Sequence, residues 1–85
     1  MKNGFMFSIM YEQDKPISFY ENGTYTNSRH HTAHWKIEED EFCYKHEGGS
    51  WGRIRRSDEW IVAEFMRLYD LYMLSVIEDE LEMKN

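Results

Sequence analysis

Metal ligation is the first chemistry the residue types suggest, because four histidines and one cysteine fall within a short span: His30, His31, His34, Cys43 and His46. Spacing weakens it. On an extended strand His30 and His34 share a face but stand about 13 Å apart, too far to hold one ion. A helix would space His30, His31 and His34 well, yet Thr32 and the alternating residues after it predict a strand. His34 and Cys43 across a hairpin supply two protein ligands where a structural zinc takes four. We therefore predict no metal site. A metal-dependent enzyme at His34, Cys43 and His46 stands only as a rival reading.

Nucleophilic chemistry at Cys43 would need a thiolate stabilised by a cationic or dipolar neighbour. Lys36 and Lys45 are expected beside it, but the acidic run Glu38-Glu39-Asp40-Glu41 opposes the shift, and no third orienting group is evident. Gly48-Gly49 lacks the lysine and spacing of a phosphate loop. The sequence predicts neither a cofactor nor an enzyme.

Two charged groups remain. Trp51, Arg53 and Arg55 share a face when extended and, with His46, could hold a small molecule or nucleotide by stacking and charge. Against this, Arg53, Arg55 and Arg56 could simply pair with Asp58, Glu59 and the acidic hairpin, as surface arginines of an acidic protein ordinarily do. The acidic group itself, Glu38, Glu39, Asp40 and Glu41, with Glu12, Asp14 and the C-terminal acids, could form a docking surface for a partner with a basic face. The net charge of −6 suits that role and argues against direct nucleic-acid binding.

These groups must be positioned by strands and one helix. Phe5, Phe7, Ile9 and Tyr11 alternate with Met6, Ser8 and Met10, the pattern of a half-buried strand. Gln13-Asp14-Lys15-Pro16 ends it, with the proline in the turn. Asn22-Gly23 predicts a two-residue hairpin turn pairing Glu21 with Thr24, Tyr20 with Tyr25 and Phe19 with Thr26. A second hairpin turning in Glu38-Glu39-Asp40-Glu41 would oppose Ile37 to Phe42, Trp35 to Tyr44 and Ala33 to His46. Those six then share one face, and His34, Lys36, Cys43 and Lys45 share the other. Because both alternations agree, the register is well specified. After Gly48-Gly49, a two-residue loop would place Trp51 on the face of Trp35, and a three-residue loop would place Ile54 there.

From Ser57, a candidate N-cap followed by Asp58 and Glu59, a helix is predicted to Met83. At about 40 Å it would overhang the sheet. Its polar members Glu64, Arg67, Asp70, Ser75 and Glu78 form a narrow stripe, leaving more apolar surface than one sheet face covers. We expect Val62, Phe65, Tyr69, Tyr72 and Val76 to face inward with Phe5, Phe7, Ile9, Trp35, Ile37, Phe42 and Tyr44. A second apolar face, Ile61, Leu68, Leu71 and Leu74 with Trp60 and Met73 at its margins, predicts a homodimer or another obligate complex. Acids near the helix C-terminus oppose the dipole and predict fraying of the last turn.

The expected fold class is α+β: a single domain over residues 1–85, with an antiparallel β-meander of four or five strands (1–56) packed against one long C-terminal helix (57–83). One cysteine excludes an internal disulfide framework, and the N-terminus lacks the long apolar region of a signal peptide. No stretch reads as a membrane span. A cytoplasmic location is expected. The function expected is that of a small acidic, non-enzymatic interaction protein that binds and inhibits a larger macromolecule. In overall type the chain is similar to many phage-encoded inhibitors of host or defence proteins, an analogy of kind that covers no specific residues.

Overall fold

The structure, a computed structural model, describes residues 4–84. Six strands form one antiparallel sheet in chain order: β1 (Phe5–Glu12), β2 (Lys15–Tyr20), β3 (Thr24–Thr26), β4 (Thr32–Glu38), β5 (Glu41–His46) and β6 (Gly52–Ile54). One helix, α1 (Trp60–Lys84), packs on one face. The α+β meander is as expected, with six strands rather than four or five because the three-residue segments β3 and β6 both enter the ladder.

The turns decide which side chains face the helix. In the β4–β5 hairpin the register matches the expected one, Ile37 opposite Phe42, Trp35 opposite Tyr44 and Ala33 opposite His46. Glu39 and Asp40 both take positive φ, 55° and 64°, the requirement of a two-residue turn that follows the strand twist. The β2–β3 hairpin differs from expectation by one residue: Phe19 pairs with Tyr25 and Ser18 with Thr26. Here only Gly23 takes positive φ, so the connection is the three-residue Glu21-Asn22-Gly23, closed by the Gly23 N–H on the Tyr20 carbonyl. The Asn22 carboxamide oxygen accepts from the Thr24 N–H and hydroxyl, and the Trp35 indole N–H lies against both the Tyr20 and Thr24 carbonyls at 3.1 and 3.0 Å. That shift puts Phe19 and Tyr25 on the same face, ring centroids 5.4 Å apart.

The β5–β6 connection, left open by the sequence, has the three-residue register: Phe42 pairs with Ile54 and Cys43 with Arg53. Ile54 therefore packs on the core and Trp51 goes to the outer face. Gly52 sits opposite Tyr44, whose ring lies where a β-carbon would be, 2.7 Å from its built position. Only glycine lets that ring cross β6 without displacement.

β1 departs from simple alternation. Its register shifts between Phe5 and Phe7 and again between Met10 and Glu12, leaving Met6 and Tyr11 as inserted residues. Each bulge flips the face of what lies beyond it. Phe5, expected inside, is consequently exposed and rests edge-on against Tyr20, while Met6 and Phe7 both touch the core. The first turn is the pair Gln13-Asp14, and Pro16 is the second residue of β2 rather than part of the turn. β3 pairs with β2 no further than Ser18, so the missing N–H of Pro16 breaks no ladder bond on that side.

The core consists of Ile9, Phe19, Trp35, Phe42, Val62, Phe65 and Met66. Phe65 is its centre, 1 % exposed, with the rings of Phe7, Phe19, Trp35, Phe42 and Tyr69 at centroid distances of 4.8–5.7 Å. Edge-to-face and tilted contacts of this kind add to burial, which a chain of 85 residues needs. Phe19 and Met66 are core residues absent from the expected set.

The helix begins three residues later than expected. Ser57 and Asp58 lie in a turn closed by the Asp58 N–H on the Arg55 carbonyl, and the Glu59 carbonyl accepts the first helical bonds from Val62 and Ala63. α1 starts with Trp60 stacked on Tyr11 at the end of β1 and passes Phe7 at Phe65. By Tyr72 it has reached Glu21, so it runs antiparallel to β1. Its 25 residues span about 37 Å. From Met73 to Glu82 only Val76 is half-buried, so the C-terminal part overhangs the sheet. Among the described residues no helix is long and apolar enough to cross a membrane.

Candidate functional site

The acidic hairpin is the first candidate, and its surroundings neutralise it. Glu38 and Glu41 are the last cross-strand pair before the turn, and β6 runs alongside, which brings three arginines to the same place. Arg53 lies between both carboxylates, 2.5 Å from Glu38 and 3.0 Å from Glu41. Lys36 reaches Glu38 at 3.1 Å, Arg55 reaches Glu41 at 3.8 Å and Arg56 reaches Asp40 at 3.5 Å. Lys36 foremost, then Arg53, hold the Glu38 carboxyl below its ordinary value. Glu39, 4.0 Å from Arg53, and Asp40, 3.5 Å from Arg56, are the most exposed of the four. A basic partner would therefore have to displace cations already in place.

The second candidate, Trp51 with Arg53, Arg55 and His46, is not assembled. Trp51 and Arg53 lie on the outer face of the sheet, where the Trp51 ring takes the Lys36 ammonium at 4.3 Å and the Lys45 ammonium at 5.6 Å. His46 belongs to the inner face with Tyr44, their rings 6.1 Å apart edge to face. The sheet itself separates His46 from Trp51 and Arg53.

Cys43 is on the outer face as expected, with Lys36 and Arg53 as cross-strand neighbours, yet it is only 1 % exposed. The thiol lies 3.9 Å from the Glu41 carbonyl. His34 shares that face and sits 3.7 Å from Glu47, while His46 is on the opposite face. His30 and His31 lie in the β3–β4 loop. Among the described residues no group of three or more His, Cys, Asp and Glu side chains is placed to hold a metal ion.

The third candidate is the helix. Of the four residues expected at an assembly interface, Ile61 and Leu68 turn inward and pack on the core of their own chain. Leu71 and Leu74 stay out, 53 % and 56 % exposed, and are joined by Ile77 at 48 % and Leu81 at 57 %. Leu74, Ile77 and Leu81 fall at i, i+3 and i+7, with Leu71 at i−3, so they form one stripe along the overhang. The exposure is collected along the helix rather than scattered singly. Sequence reasoning missed Ile77 and Leu81. Their three-four spacing with Leu74 was the signal, hidden by assigning one apolar face to the whole helix.

Beside the helix the inner sheet face holds an apolar groove of about 400 Å³, lined by Phe19, Tyr25, Phe42, Tyr44, His46 and Ile54 among others. Burial first, and then the nearby Tyr44, push the Tyr25 hydroxyl above its ordinary pKa of 10.0. Comparison with protein-family models, with curated proteins and with solved structures returns no match to this chain.

Proposed function

We propose that this chain is a non-enzymatic interaction protein that docks its overhanging helix into an apolar groove of a larger protein partner. One observation carries the reading: Leu71, Leu74, Ile77 and Leu81 stand about half exposed in a single stripe on a part of α1 that the sheet does not reach. An amphipathic helix lying in a groove is read through anchors at this spacing. The stripe is bordered by Glu78, Asp79, Glu80 and Glu82, so the groove that fits it has a basic rim. That rim would also relieve the unfavourable placement of acids at a helix C-terminus. The protein acts by occupancy, and inhibition of the covered partner is the effect we assign to it, in a cytoplasmic setting.

A homodimer through the same stripe is the second reading, favoured by the heptad-like spacing of Leu74, Ile77 and Leu81. The stripe is short for a coiled coil, and its flank is acidic on both copies, which sets like charges close together. The acidic hairpin contributes at most steering of the encounter, through Glu39.

The variant Leu74→Glu with Ile77→Glu tests the docking face. Both positions are half exposed, so its folding stability should stay within about 0.5 kcal/mol per site of the parent. Retained binding of the partner, or retained self-association on sedimentation, by a folded double variant would remove the helix stripe from consideration.

A further inference from the structure

The apolar groove does not end at the core. It shares the lining residues Tyr11, Ile17 and Tyr25 with a second, polar hollow of about 390 Å³, whose polar lining includes Glu12, Lys15, Asn27, Arg29 and His31. The loop that carries the polar end is held in shape by Asn27, whose side-chain oxygen accepts the Arg29 and His31 N–H groups at 2.9 and 3.1 Å. Lys15 is already paired with Glu12 at 3.1 Å. Arg29 forms no ion pair among the described residues, in a chain whose other described arginines all do. The apolar hollow thus adjoins, across Tyr11, Ile17 and Tyr25, a polar one that carries one uncommitted guanidinium.

We infer that these two adjoining hollows together bind a small amphiphilic carboxylate, its apolar body against Ile17, Phe19, Phe42 and Ile54 and its anionic head at Arg29. The size is that of ordinary small-molecule sites, which are mostly apolar with a few polar groups that fix orientation. Here the orienting groups are the Tyr25 and Tyr44 hydroxyls along the wall and Arg29 at the mouth. A guanidinium suits a carboxylate because two parallel N–H donors match its two oxygens. This site is independent of the helix stripe and stands whether or not that stripe docks a partner.

Decanoate, used below the concentration at which it forms micelles, is a direct probe. The isoleucine methyl groups report location by NMR, because Ile17, Ile54 and Ile61 line the groove, whereas Ile77 lies on the helix stripe. Saturable shifts at Ile17, Ile54 and Ile61, with Ile77 unmoved, are expected. Decanol should bind more weakly, and Arg29→Gln, a change in an exposed loop, should lower decanoate affinity about fivefold toward that of decanol. The inference is overturned by non-saturable binding, by shifts centred on Ile77, or by equal affinity for decanoate and decanol that Arg29→Gln leaves unchanged.

Discussion

Tyr25 shows how one side chain links the core to solution conditions. Its pairing with Phe19 turns it toward the helix side, where burial, and then Tyr44, raise its pKa. A group whose folded pKa lies above its unfolded value holds its proton longer when folded. It adds stability that is whole below pH 10 and is lost as pH climbs through the folded pKa. Tyr72 acts in the same sense, through desolvation and the nearby Glu21. We expect the protein to lose stability above about pH 10, and Tyr25→Phe to reduce that loss while changing little at pH 7. Urea titrations of the two proteins across pH 8–11 would check this, and parallel curves would assign the alkaline loss to other groups. The sequence did not reveal Tyr25 as a groove residue. Asn22-Gly23 read as a two-residue turn paired Tyr25 with Tyr20, and the Trp35 indole, which holds the turn at three residues, is distant in sequence.

Whole elements were more legible than their ends. The β4–β5 hairpin was readable to the residue because two alternating strands and an acidic two-residue turn agree. β1 was readable as a strand, but its two bulges leave no mark in the alternation, so Phe5 was placed inside and is exposed. For α1, the apolar excess was visible, and the division between core and overhang depends on where the sheet stops. Its start at Trp60 rather than Ser57 follows from the Arg55–Asp58 turn that delivers the arginines to the hairpin. That hairpin yields an element-scale expectation. Glu38→Lys with Glu41→Lys places two cations against Lys36, Arg53 and Arg55, so the melting temperature should fall at low salt. The deficit should shrink by about 0.5 M salt, where exposed charges are screened. A variant as stable as the parent at low salt would mean that these pairs are not formed in solution.

At the scale of the whole molecule, paired charge gathers at the hairpin end and the longest exposed apolar stripe lies on the helix. Arginines and carboxylates pair at one end of the sheet, the strands also expose Phe5, Met10 and Trp51 singly, and the exposed apolar stripe lies on the helix overhang with acids beside it. This distribution is why we propose the helix, rather than the hairpin that the sequence suggested, as the functional surface. Photo-crosslinking in cells tests that assignment most directly, with a photoreactive residue at Leu74 and, as control, at Glu12 on the far end of β1. The expected result is a discrete adduct from position 74 and none from position 12. Its mass identifies the occupant, since two copies of a 10.4 kDa chain give about 21 kDa and a larger partner gives more. Absence of an adduct from position 74, or the same adducts from both positions, would contradict the helix as the docking surface.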